Sequence, residues 1–411
     1  MFSEIIFTTI QKLSFIKKLK LYDFGHMIIF PSLIKLISKF FKDDIDEKLI
    51  VMGGQVGVGF FGNTKYLFQF LHENSDYRLV WITKNERISK ELTEKGYDVL
   101  PHFSLETIKT LRRAKYIFLT HGYPDILPIE FSPKTKIILT WHGIPIKKLR
   151  RDKLIYSKWS DIFKLDLKYH QYVDFLLTPT KREKEKKILS STFRFPIEKI
   201  IELGYPKNDI YIKRKDDKQF INKLKKKYQV PEQLDKIILY APTYRENTMA
   251  GFPFSKNTLS KLNNILRNSN SIMLLKIHIL QNVGNLQDFE NIKVVGPTAD
   301  IQEIALISDC LITDYSSICF DYLLTLKPII FFPYDFEQYK KEWGFYYNYE
   351  EVTPGPIMYK EKDLLSLLKD IDKINEEFLE EQMKMRDRFL KYHDGRSTER
   401  LLDFLNIKYN K

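Results

Sequence analysis

Four short stretches carry the residues that can do chemistry in this 411-residue chain, each after an apolar run. In Thr313-Asp314-Tyr315-Ser316-Ser317, two adjacent serines open a predicted helix. Hydroxyls and free backbone amides at the positive end of a helix dipole stabilise an anion, a phosphate above all. The plain alternative is N-capping by Asp314 or Ser316. In Trp141-His142-Gly143-Ile144-Pro145-Ile146-Lys147, an imidazole sits just past a predicted strand, and Gly143 and Pro145 shape the turn around it. A lone histidine is more often a satisfied structural group, but the adjacent Gly, the Pro and Lys147 favour catalysis here. An imidazole with an unperturbed pKa near ~6.5 suits proton transfer at neutral pH. Tyr240-Ala241-Pro242-Thr243-Tyr244-Arg245 and Lys276-Ile277-His278 place further cations at the ends of two more predicted strands.

These stretches need a frame that brings their ends together. Predicted strands at 49–52, 78–82, 97–100, 116–120, 136–140, 175–179 and 200–203 alternate with helical patterns. A second series follows at 237–240, 272–277, 293–295, 310–313 and 328–332, with the helix after Ser317 expected over 318–326. Strands alternating with helices specify parallel sheets covered on both faces, and ligands gather at the carboxyl ends of such strands. The expected class is α/β of the GT-B type: two Rossmann-like parallel-sheet domains, 47–210 and 211–411, facing a central cleft. Helical patterns at the end of the chain clasp the pair.

Residues 1–46 form an amphipathic helical segment, with Ile5, Ile6, Ile10, Leu13, Ile16 and Leu19 on one face and a second apolar patch from 27 to 37. Such helices either lie in a membrane interface or pack on the body. Gly57, Gly59 and Gly62 spell G-x-G-x-x-G after the first strand, but the strand ending at Ile82 runs into Thr83-Lys84 rather than an acid. A tight loop facing the cleft is expected there, not a dinucleotide site. Lys147, Lys148, Arg150, Arg151, Lys153 and Lys158, interleaved with Tyr156 and Trp159, are the densest basic stretch, suited to an acceptor-side or membrane-facing loop.

The balance of 66 basic to 53 acidic residues, net +13, signals an anionic partner or a lysine-rich surface and says nothing of fold. Cys310 and Cys319 fall inside apolar stretches and read as small buried hydrophobes of a reducing compartment. No run reaches the ~18 apolar residues of a membrane span, and the start lacks the pattern of a secretory leader. A cytosolic protein is expected. Neither Asp-x-Asp nor Cys-x-x-Cys spacing is present at the strand ends, so metal-independent chemistry without a cofactor is expected.

Taken in order, the four stretches resemble the CDP-glycerol glycerophosphotransferase family, the teichoic-acid primases and polymerases, over roughly residues 53–402. Gly62-Asn63-Thr64-Lys65 is similar to the family's Gly-Asn-Pro-Lys, and Pro206-Lys207-Asn208-Asp209 to its Pro-Arg-Asn-Asp. Lys207 in place of Arg exchanges a bidentate contact for a mobile point charge. The family's Lys-x-His-Pro becomes Lys276-Ile277-His278-Ile279. The resemblance implies transfer of glycerol phosphate from CDP-glycerol to a hydroxyl of a lipid-linked saccharide or polyol-phosphate acceptor, releasing CMP. It implies His142 as general base, with His278 as a second catalytic group. Donor contacts are expected from His142, Gly143, Ile144, Pro145, Ile146, Lys207, Pro242, Thr243, Arg245, Lys276, Ile277, His278, Ser316 and Ser317, with Asp321 on donor hydroxyls. The enzyme would work as a peripheral protein on the anionic cytoplasmic face of the membrane, without nucleic acid. A CDP-ribitol donor, a GT-B sugar-nucleotide enzyme, and a basic membrane- or RNA-binding protein remain open alternatives.

Overall fold

The apolar runs become strands because each can be buried on both faces, as a parallel sheet between helices demands. In β1 (Asp46–Gly53), Leu49 and Val51 enter one core layer and Ile50 and Met52 the other. The same alternation separates Ile237 and Leu239 from Ile238 and Tyr240 in the first strand of the second domain. The computed structural model describes residues 32–42, 44–149, 152, 171–243, 245, 252–277, 286, 288–296 and 298–410. Most of the amphipathic 1–46 segment, most of the basic stretch after Lys148, and His278 lie outside the described residues.

In chain order the remaining strands are β2 (Arg78–Thr83), β3 (Asp98–Pro101), β4 (Ala114–Leu119), β5 (Lys136–Leu139), β6 (Phe175–Thr178) and β7 (Ile200–Glu202). The second domain contributes β8 (Lys236–Tyr240), β9 (Ser271–Leu275), β10 (Ile292–Val294), β11 (Cys310–Thr313) and β12 (Ile329–Phe331). The first sheet has the order β3-β2-β1-β4-β5-β6-β7 and the second β10-β9-β8-β11-β12. Every pairing within them is parallel. Helix starts are secured by side chains: Asn85 accepts from the amides of Arg87 and Ile88, and Ser104 from that of Thr107. Each such cap contributes about 1 kcal/mol.

Two GT-B-like halves thus face one another across their strand ends, and three devices join them. The loop after β5 runs into the second domain, where Ile144 and Ile146 enter its core beside Tyr211 and Tyr315. There it pairs with 344–346, through Tyr346 N to Ile146 O at 2.9 Å and Lys148 N to Gly344 O at 3.0 Å. Lys147 lies over the Trp343 ring, 4.5 Å from its centroid. The second device is a buried ion cluster. Lys65, on helix Asn63–Asn74, reaches Asp300 Oδ2 and Glu303 Oε1 of the second domain, both at 2.6 Å, and Lys227 meets Glu303 Oε2 at 2.5 Å. Burial opposes the charge on Lys65, but the two carboxylates outweigh it and raise its pKa. Burial would likewise raise the Glu303 carboxyl, yet Lys65 and Lys227 bring it down to about 2.

The third device departs from the expected boundary at 211. Helix Ser397–Phe404 returns to the first sheet, burying Leu401, Leu402, Leu405 and Ile407 against Ile50, Phe118 and Ile138. The Asp209 carboxylate holds its start, accepting from the amides of Ser397 at 2.9 Å and Thr398 at 2.8 Å. The described end of the amphipathic segment, a helical turn at 32–38, also packs on the first domain: Ile34 and Ile37 are buried there. The helix after Ser317 is shorter than its apolar run, ending at Tyr322, with Leu326 in the left-handed region at φ 53°.

Candidate active site

The site is assembled from strand ends. A cavity of about 230 Å³ lies between the domains, with Gln55, Phe61, Gly62, His142 and Lys207 on the first-domain side. Ala241, Pro242, Lys276, Ile301, Gln302, Ser316, Ser317, Ile318 and Asp321 face them from the second. The glycine-rich turn after β1 is part of this wall, as its expected place by the cleft requires. Its backbone turns through positive φ at Gln55 (54°), Val56 (59°) and Gly57 (80°).

His142 is presented by a backbone reversal. Trp141 has φ 54°, a costly conformation for a bulky residue that persists only where neighbours over-determine it. Asn63 does so: its Nδ2 donates to the carbonyls of Thr140 at 3.1 Å and Trp141 at 2.9 Å. Its Oδ1 accepts from Lys207 N at 3.2 Å, so one fully buried amide ties the His142 loop to the Lys207 turn. Thr64 and Lys65 then continue the helix toward the interdomain ion cluster.

Lys207 and Asp321 form a buried ion pair in the cavity wall, one group from each domain. Burial raises the Asp321 carboxyl above its ordinary range, and Lys207 pulls against that shift. In Asp321 the expected ligand for donor hydroxyls is therefore already engaged by the expected phosphate-binding lysine. Lys276 donates to Gly296 O at 3.2 Å. Burial lowers its pKa to about 8, with Asp300 acting in the opposite sense.

Ser316 and Ser317 line the cavity, and Ser317 makes no side-chain cap to the helix that follows. The capping alternative also fails for Asp314, whose Oδ1 accepts from Thr243 N at 2.8 Å and whose Oδ2 accepts from Arg245. Gly143 abuts Ser317 across the domain seam.

Six of the residues expected at the donor do not line this cavity. Arg245 is turned away from the cavity into a carboxylate cage: Nε to Asp335 Oδ2 at 2.7 Å, Nη2 to Asp314 Oδ2 at 2.8 Å, Nη1 to Thr243 O at 2.6 Å. Burial works against its charge, and Asp314 and Asp335 outweigh burial and raise its pKa. Ile144 and Ile146 are interdomain packing residues rather than cavity lining, and Ile277 is buried in the second-domain core. Thr243 is buried and holds Asp314 through its amide. Pro145, between the two packed isoleucines, is also absent from the lining. Among the described residues, no group of three or more His, Cys, Asp or Glu is arranged to hold a metal ion.

Two groups have no role assigned from the sequence. Asn63 stands there only within the Gly62-Asn63-Thr64-Lys65 motif. Thr120-His121-Gly122 after β4 repeats the strand-end His-Gly pattern of His142-Gly143, and the two imidazoles stack with centroids 4.6 Å apart. That repetition was the available signal.

The fold and the interdomain cavity define a GT-B-type transferase architecture. The family model of CDP-glycerol:poly(glycerophosphate) glycerophosphotransferase matches residues 35–406, and the chain belongs to that family. It is therefore an enzyme, a glycerophosphotransferase. The chain is 32% identical to a teichoic acid glycerol-phosphate transferase of Staphylococcus aureus over 384 residues, covering 89% of this chain and 94% of that protein. It is 30% identical to a teichoic acid poly(glycerol phosphate) polymerase of Staphylococcus epidermidis over 91% of its own length, but spans only 52% of that polymerase. The solved structure of the wall teichoic acid polymerase TagF superposes with a TM-score of 0.79 at 27% identity, covering 94% of this chain and 95% of that one. A His-to-Asn variant of TagF treated with CDPG gives the same TM-score.

Proposed function

We propose that this enzyme transfers glycerol phosphate from CDP-glycerol to a hydroxyl of a lipid-linked saccharide or polyol-phosphate acceptor, releasing CMP, in the synthesis of teichoic acid or a related surface polymer. One observation carries the reading: His142 of the first domain shares a cavity with Lys207, Lys276, Ser316 and Ser317. Transfer of a substituted phosphate needs charge neutralisation and alignment more than covalent chemistry. The lysines and the serine hydroxyls meet the diphosphate, and His142 takes the proton of the attacking hydroxyl as phosphorus moves from CMP to the acceptor oxygen. His278 assists on the donor side. No resident cofactor or metal ion enters this scheme, and turnover persists in EDTA.

The donor occupies the second-domain side of the cleft and the acceptor the first. The enzyme works as a peripheral protein on the cytoplasmic membrane face. Leu36 and Phe40, 56% and 64% exposed near Lys35, Lys39 and Lys42, support that placement. The deciding assay is release of the leaving nucleotide, CMP from a CDP-linked donor or a uridine nucleotide from a UDP-sugar, with a lipid-linked acceptor supplied in turn with CDP-glycerol, CDP-ribitol and UDP-sugars. Turnover with CDP-glycerol alone is expected. Preference for CDP-ribitol would change the polyol, and turnover only with a UDP-sugar would overturn the reading.

A further inference from the structure

Against the ring of His142, the turn after β4 builds a support from three groups. The Asp125 carboxylate is fully buried and accepts from the amides of Val56 at 2.7 Å, Thr120 at 2.6 Å and His121 at 2.6 Å. Charge-assisted bonds to several backbone amides make a rigid joint, here between the turns after β1 and β4. The Thr120 hydroxyl accepts from the amide of Gln55, a cavity residue, at 2.8 Å and lies 2.8 Å from His121 Nδ1. His121 is thus held at its backbone and at its ring. Its face lies against His142, the ring planes 16° apart, while Trp141 packs on the same imidazole with centroids at 3.8 Å.

We propose that His121 is a positioning residue for His142: the stacked ring sets the plane in which the His142 imidazole meets the acceptor hydroxyl, and Asp125 anchors that ring to the cavity wall. The proposal rests on the reading of His142 as the general base. Its force is geometric, since a base that can swing about its side-chain bonds spends little time aligned, and a misplacement of about 1 Å can cost roughly 10²-fold in rate.

The test separates the ring from its hydrogen bond. His121→Phe keeps a stacking face and loses Nδ1; His121→Asn keeps a polar atom near Thr120 and loses the ring. Expected is a kcat for His121→Phe within about threefold of the parent, and for His121→Asn one roughly 10- to 100-fold lower, with the KM for CDP-glycerol within about twofold. Wild-type kcat in His121→Asn, an equal loss in both variants, or a loss confined to KM would overturn the proposal. Melting curves establish folding, and His121→Gln replaces His121→Asn if the latter does not fold. His142→Ala is assayed beside them. Turnover surviving there brings down the general-base reading itself, whereas an inactive His142→Ala beside a fully active His121→Asn brings down only the role of His121.

Discussion

Gly143 and Ser317, from opposite domains, meet so closely that a Cβ at 143 would lie 2.2 Å from Ser317 Oγ and 2.8 Å from its Cβ. Both flank the cavity, one beside His142 and the other in its wall. The glycine is needed for close approach, which sets the distance between the acceptor and donor halves. Gly143→Ala should therefore force the seam apart at a cost of about 1–3 kcal/mol in overpacking. Donor affinity by calorimetry and turnover should fall together, and Gly143→Ala with Ser317→Gly should regain the lost stability while donor binding stays weak for want of the Ser317 hydroxyl. A single variant with wild-type behaviour would mean the seam yields freely.

His142→Ala should fold, bind CDP-glycerol with near-parental affinity and lose transfer by roughly 10²- to 10⁴-fold, the usual effect of removing a general base. The histidine stands on the domain opposite Lys276 and Ser316. Calorimetry beside CMP release checks the split. Near-normal CMP release with acceptor present would remove His142 from the proton transfer.

Lys207→Met leaves the Asp321 carboxylate buried without its ammonium partner, an arrangement that costs about 3–5 kcal/mol. Lys207→Met with Asp321→Leu should regain most of that stability, because paired apolar replacements remove the desolvation penalty with the pair. The double variant should still bind CDP-glycerol poorly, having lost the positive charge in the wall. Chemical denaturation reports the first effect and calorimetry the second.

For Arg245→Ala, the primary loss should be stability. Removing the guanidinium strands Asp314 and Asp335 in a buried cage, at about 3–5 kcal/mol. Asp314 also holds Thr243 N, so the turns after β8 and β11 loosen together. The melting temperature should drop by several degrees, whereas Ser316→Ala should weaken donor binding with little change in melting. Unchanged melting with lost donor affinity would return Arg245 to direct phosphate contact.

Donor affinity should depend on pH through Lys276. Burial brings its pKa to about 8, so the ammonium that meets the diphosphate is lost as pH rises through that value. Affinity should fall by about 10- to 100-fold toward pH 9.5, the worth of a hydrogen bond to a charged group. Lys276→Arg should flatten the profile. The linkage to folding has the opposite sense. Unfolded, the side chain keeps its proton to its ordinary 10.5, so between about 8 and 10.5 the unfolded state binds more protons and the cost of burying Lys276 fades as pH rises.

Local pattern determined much of this protein. Apolar runs of strand length separated by helical periodicity specified two parallel sheets, because burial on both faces admits little else. The strand-end rule then pointed to His142, Lys276 and Ser316, all of which line one cavity. What the sequence left undecided was the partner of each charge. Arg245 and Lys276 are both cations at strand ends, and only folding reveals that two carboxylates far along the chain enclose the first while the second reaches the cavity wall. Ile144 and Ile146 beside a catalytic-looking histidine proved to be the packing that docks one domain on the other. The last helix crosses back to the first sheet because Leu401 and Leu402 find their apolar surface there. Burial and ion pairing depend on residues brought close only when both sheets are complete, so linear spacing carries no record of them.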